Sequence, residues 1–175
     1  MPLLNAGEPF PHIPITLLDG TTVDSGDRDA DPSARGYRVV LFYRGSWCPF
    51  CNAQLRAFQR ALPDLAEVDA DVLAVSVDDQ ETTQTLVDRL RLEFRVGHSA
   101  DAHKLAELTG AFVHEDPLYV QSTGFVLGPD GRIVVGVYSS GAIGRLMPDD
   151  VVGLVRYHAE HSDYLQNEPE WRRRG

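Results

Sequence analysis

Val39-Val40-Leu41-Phe42-Tyr43-Arg44-Gly45-Ser46-Trp47-Cys48-Pro49-Phe50-Cys51 is the stretch that decides the fold. The β-branched and aromatic run over 37–43 has the composition of a strand buried on both faces of a sheet. A short Gly/Ser turn follows, then two cysteines three residues apart. Leu55, Phe58, Leu62 and Leu65 come next at helical spacing, with polar residues between them. Pro49 suits the first turn of that helix, where its missing N–H has no partner to lose. The order is strand, turn, dithiol, helix. It places Cys48 at a helix N-terminus, where unpaired N–H groups and the helix dipole stabilise a thiolate.

Residues at i and i+3 of a first helical turn share one face and stand close enough for their sulfurs to bond. By exposure, Cys48 is expected to be the better thiolate and Cys51, a turn deeper, the shielded one. Trp47, Pro49 and Phe50 shape an apolar lip, and Arg44 stands four residues before Cys48 as a source of positive charge. Inert cysteines and half of a zinc site are the other readings. Zinc needs more ligands, and no second C-x-x-C or H-x₃-H accompanies the pair. His158 and His161 are three apart near the terminus, a spacing common by chance.

The composition narrows the setting. The 175 residues, 43% hydrophobic, can bury one core of ordinary size. A formal net charge of −10 argues against nucleic acid and against an anionic membrane surface. No apolar run approaches the ~18 residues of a membrane span, and the first residues do not read as a signal peptide. The expectation is a cytoplasmic protein. Two cysteines make no disulfide framework, and a C-x-x-C in such a chain reads as redox-active.

Outward from the centre, the other elements follow. Residues 15–18 and 21–23 form a hairpin about Asp19-Gly20, and residues 24–36 form an acidic surface loop. Pro63 kinks or splits the helix, which runs to about Val68. Residues 72–77 are a second buried strand. Asp78 and Asp79 open an amphipathic helix through Leu86, Leu90 and Leu92, with helix capping preferred to a ligand role for both acids. Residues 94–96 are a short strand, and Asp101 and Gly110 bracket a helix. Residues 111–121 are an irregular connection. Residues 125–127 and 133–138 form a hairpin, and residues 148–150 open the last helix. The expected architecture is α/β: a mixed sheet with helices on both faces and an N-terminal β-hairpin extension. One domain is expected over residues 1–162, with a polar tail at 163–175.

Three stretches carry a family resemblance: residues 42–51, Val75-Ser76-Val77-Asp78, and Phe125-Val126-Leu127-Gly128-Pro129-Asp130-Gly131-Arg132-Ile133. They resemble the peroxiredoxin superfamily, in particular its alkyl hydroperoxide reductase/thiol-specific antioxidant (redoxin) group. The resemblance spans residues 7–157 and implies a thioredoxin fold that reduces peroxides through a helix-N-terminal cysteine. The family pattern Pro-x₃-Thr-x₂-Cys, laid on this chain, puts Arg44 on the proline, Cys48 on the threonine and Cys51 on the peroxidatic cysteine. Ser122 falls where the family carries its arginine, and where thioredoxins carry a cis-proline. Thioredoxin register nominates Cys48 as nucleophile, and peroxiredoxin register nominates Cys51.

The leading expectation is a thiol-dependent peroxidase that reduces hydrogen peroxide or organic hydroperoxides through Cys48 and Cys51. An external thiol reductant such as thioredoxin resets it, Arg44 replaces the missing arginine, and no cofactor or metal is required. A thiol–disulfide oxidoreductase is the alternative. A third reading is a metal-handling thioredoxin scaffold, with His114 as a distant ligand. A homodimer is compatible with the apolar faces, though no residue specifies one.

Overall fold

The computed structural model describes residues 3–27, 31, 34 and 36–161. In chain order the elements are β1 (Pro14–Thr16), β2 (Thr22–Asp24), β3 (Tyr37–Phe42), α1 (Pro49–Arg60), α2 (Leu62–Glu67), β4 (Ala70–Val75) and α3 (Gln80–Leu90). These are followed by β5 (Arg95–Gly97), α4 (Ala102–Thr109), β6 (Val113–Glu115), β7 (Leu118–Val120), β8 (Thr123–Leu127), β9 (Ile133–Tyr138) and α5 (Pro148–Glu160). The tail expected at 163–175 lies outside the described residues.

Five strands form the central sheet in the order β5-β4-β3-β8-β9. β3, β4 and β5 run parallel, while β8 and β9 are antiparallel to their neighbours. Side chains alternate along β3. Tyr37, Val39 and Leu41 point into a core built with Leu55 and Phe58 of α1, Leu65 of α2, Leu86 of α3 and Val151 and Val155 of α5. Val40 and Phe42 point the other way, against Phe10, Ile13 and Ile15, Leu105 of α4 and Phe125. A strand covered on both faces has no polar side, which is why β3 is a continuous apolar run. The fold is thioredoxin-like, with a mixed sheet, helices on both faces and the β1–β2 hairpin before them.

The N-terminal segment is fastened to both edges of the sheet. The Gly7 N–H donates to the Ile133 carbonyl at the start of β9 at 2.7 Å, and the Phe10 N–H to the Gly131 carbonyl in the turn before it at 3.1 Å. At the other edge the His98 N–H donates to Thr16, and a Cβ on Gly97 would collide with the Ile15 side chain. Glycine is therefore what lets the hairpin cross β5.

One local expectation, the split at Pro63, is met, and two others change. The helix after the dithiol divides at Ala61, one residue before Leu62-Pro63, because Pro63 has no N–H to continue the α1 ladder. α3 stops at Leu90: Arg91 adopts the left-handed conformation, so Leu92 packs into the core from beyond the helix. Residues 111–121 contain the β6–β7 hairpin, paired Val113↔Val120, His114↔Tyr119 and Glu115↔Leu118 around a cis Asp116–Pro117 bond. Strands of three residues are too short to show an alternating pattern.

Candidate functional site

The dithiol lies beyond the carboxyl end of β3, where open α/β sheets leave a crevice for ligands. Cys48 is the N-cap of α1 in extended backbone (φ −83°, ψ 113°), with Pro49 opening the helix behind it. Its Sγ accepts the Cys51 N–H at 3.4 Å, as a capping oxygen would. Cys51 lies at the third helical position, and its Sγ accepts the Arg44 N–H at 3.4 Å. Both cysteines are free thiols, and both are 0% exposed, so exposure does not distinguish them as the sequence suggested.

Their electrostatics do distinguish them. Burial alone would push the Cys48 thiol up, but hydrogen bonds from the Cys51 side chain and N–H, with the charges of Arg145 and Arg44, outweigh it. Its pKa falls below the ordinary thiol value. Burial pushes the Cys51 thiol up, and donating its proton to Cys48 holds it there, while Arg145 and the Arg44 N–H pull it only part of the way back. Cys48 is therefore the more readily ionised sulfur of the pair, with the Cys51 thiol as its hydrogen-bond donor.

Arg44 is clamped. Its Nη2 donates to the Tyr119 hydroxyl at 2.7 Å, and Nη1 stands 4.0 Å from the Cys48 Sγ. The guanidinium lies 4.9 Å from the centroids of both Trp47 and Tyr119. Trp47 meets Tyr119 edge-on, and His114 stacks on Tyr119 with its Nδ1 2.8 Å from the Pro117 carbonyl. Trp47 and Phe50 are 53% and 48% exposed and flank the buried sulfurs with apolar surface. Ser122 is buried between β7 and β8; the register Phe42↔Thr123 sets it beside the end of β3, where its carbonyl accepts the Ser139 N–H.

Four residues at the site carry no local sequence signal. Asp78 accepts the Ser46 N–H at 2.7 Å and so pins the turn before Cys48, while Asp79 alone caps α3 through Thr82. Tyr119 holds Arg44. Arg145, from the β9–α5 connection, brings Nη1 to 3.3 Å from the Cys51 Sγ. Gln54 is buried one turn along α1, donates to the Leu146 carbonyl at 2.8 Å and accepts from Arg145 at 3.2 Å. Gly45, at φ +152°, passes so close under the Trp47 ring that a Cβ would strike the indole nitrogen.

Among the described residues, no three His, Cys, Asp or Glu side chains converge as a metal site would require. No described helix is long and apolar enough to cross a membrane.

A polarised dithiol on a helix N-terminus, set at the end of a parallel strand in a thioredoxin-like sheet, defines an oxidoreductase that works through sulfur. The AhpC/TSA family model matches residues 6–135, and the chain belongs to that family. It is similar to a peroxiredoxin of Methanothermobacter thermautotrophicus, 26% identical over 161 residues that cover 89% of this chain and 73% of the relative. Its fold is similar to Enterococcus faecalis AhpC (TM-score 0.74, 20% identity, 93% and 97% of the two chains covered). The fold is also similar to the Mycobacterium tuberculosis peroxidoxin BcpB (TM-score 0.73, 18% identity, 88% and 97% covered). The protein is a peroxiredoxin-like thiol peroxidase acting through the Cys48–Cys51 dithiol.

Proposed function

We propose that Cys48 is the attacking sulfur and Cys51 the resolving one, in a cycle that reduces hydrogen peroxide or an organic hydroperoxide. The observation that carries this order is the N-cap position of Cys48, with its lowered pKa beside Arg44. The Cys48 thiolate attacks the O–O bond; an S–O bond forms, the O–O bond breaks, and the leaving oxygen takes a proton as water or an alcohol. Arg44 stabilises the thiolate and the charge that develops on the leaving oxygen. The Cys51 thiol then condenses with the Cys48 sulfenic acid: the S–S bond forms, the S–O bond breaks and water departs. Two equivalents of an external thiol, such as the dithiol of a thioredoxin, return both cysteines to the reduced state. A reducing cytoplasm supplies such a donor.

The test is stopped-flow oxidation by hydrogen peroxide with mass-spectrometric trapping. Cys48→Ser is expected to abolish peroxide consumption, and Cys51→Ser to consume one equivalent and stop at a sulfenic acid on Cys48. The reverse pattern overturns the order and makes Cys51 the attacker, as the family register has it. An N-cap cysteine beside an exposed tryptophan also suits disulfide exchange, so insulin reduction that outpaces peroxide turnover would favour the oxidoreductase reading.

A further inference from the structure

We propose that Arg145 is a second catalytic arginine, in direct contact with Cys51, and that it drives closure of the disulfide. The inference rests on the order of attack given above and extends it to a residue from a distant part of the chain.

By contact the two guanidinium groups divide between the two sulfurs, while the charge of Arg145 also reaches Cys48. Arg44 approaches Cys48 from the loop after β3, while Arg145 approaches Cys51 from the β9–α5 connection. Arg145 is the better placed of the two: its Nη1 stands 3.3 Å from its sulfur against 4.0 Å for Arg44. It is also held independently of the sulfur. Nη1 donates to the Gln54 Oε1 and Nη2 to the Ala142 carbonyl, and Gln54 is fixed in turn by the Leu146 carbonyl. Gln54 lies three residues after Cys51 on the same helical face, so sulfur and anchor face one guanidinium.

The groups facing Cys51 are Cys48 on its own helix, Tyr43 and Arg44 from the end of β3, and Arg145. In the resting pair the Cys51 thiol donates to the more acidic Cys48 sulfur. Once Cys48 is a sulfenic acid it is neutral, and Cys51 must lose its proton to attack. Arg145 is then the cation in direct contact with the sulfur that becomes negative. The Cys51 proton goes to the departing hydroxyl, which leaves as water; Cys51 and Cys48 share the new S–S bond. No further reactant enters.

The decisive experiment uses Cys48→Ser as background, so that Cys51 alone titrates, followed by thiolate absorbance near 240 nm. Adding Arg145→Gln is expected to raise the Cys51 midpoint by about one pH unit, a tenfold loss of thiolate below it. Arg145→Lys is expected to stay near the parent, and Gln54→Leu to fall between. An unmoved midpoint with Arg145→Gln overturns the proposal, whatever oxidises the protein. In the otherwise wild-type chain, Arg145→Gln is expected to slow disulfide closure about tenfold at pH 7, with sulfenic acid accumulating on Cys48 and recovery at pH 9. Slowing that alkali does not relieve would make Arg145 structural and overturn a catalytic role. A chain that never forms sulfenic acid at Cys48, but whose Cys51 midpoint moves, would overturn the order of attack and leave the Arg145–Cys51 pairing standing.

Discussion

At the scale of single residues, the site is an exercise in moving one proton between two sulfurs. On the proposed order of attack Cys48 reacts as a thiolate, so its peroxide rate is expected to be flat above its lowered pKa and to fall as acid protonates it. Arg44→Gln removes a charge beside that sulfur; the rate at neutral pH should drop about tenfold and the acid limb should move to higher pH. Tyr43 makes the opposite kind of pH statement. Burial pushes its phenol up to about 12 from an ordinary 10.0. Folding therefore favours the protonated form, a contribution present below the unfolded value and lost as pH rises through the folded one. In a Cys48→Ser/Cys51→Ser chain, where no thiol titrates, urea stability should decline by ~1 kcal/mol per pH unit between those values. Tyr43→Phe should flatten that decline. Cys48, Cys51, Arg44 and Trp47 were visible in the sequence because they lie within eight residues of one another, and local spacing places them on one turn. Asp78, Tyr119 and Arg145 were not. An aspartate after a strand reads equally well as a helix cap, and a lone arginine in a Gly/Ser-rich loop has no pattern at all. Only the tertiary fold brings them to the site.

The elements divide into those that fold the chain and those that aim the site. Asp101 caps α4 through the Lys104 N–H at 3.0 Å, and Gly110 closes that helix in the left-handed region. Asp101→Ala should destabilise the protein by about 1 kcal/mol in thermal melts and leave peroxide kinetics alone, since α4 packs on the face opposite α1. The turn over Gly45-Ser46 behaves differently, because it is held by Asp78 from the end of the next parallel strand. Asp78→Ala should cost about 1 kcal/mol of stability and also lower the peroxide rate, and Asp78→Asn, which keeps an acceptor for the Ser46 N–H, should preserve most of both. Helices with clear caps, and β3, β4, β8 and β9 with their apolar runs, were legible from sequence. β6 and β7 were not, since a hairpin of three-residue strands about Asp116-Pro117 has neither length nor alternation to announce it.

Across the whole molecule, the two ends of the parallel strands carry opposite kinds of charge arrangement. The carboxyl ends hold the dithiol and its arginines. At the other end, Arg38 of β3 is 0% exposed and bonds Asp31 and Asp71, and Arg95 of β5 bonds the same two carboxylates. Among the described residues, two cations and two anions close the base of β3, β4 and β5, and draw Asp31 of the acidic loop onto the sheet. That loop's charge read from sequence as a solvated face; Asp31 is instead a structural anion, because Arg38 leaves a buried cation to neutralise. Asp71→Ala leaves both guanidinium groups on Asp31 and should cost about 2 kcal/mol in urea denaturation, with peroxide kinetics of the folded fraction unchanged. The β6–β7 hairpin has the converse independence. It stands outside the five-stranded sheet, yet its Tyr119 holds Arg44 and stacks with His114. A chain built this way can be retuned without being refolded. Changes confined to eight or so residues of that hairpin would reset the reach and hydration of Arg44 while the sheet stays as it is. Reactivity and stability are thus carried on separable parts, and selection can vary one while holding the other constant.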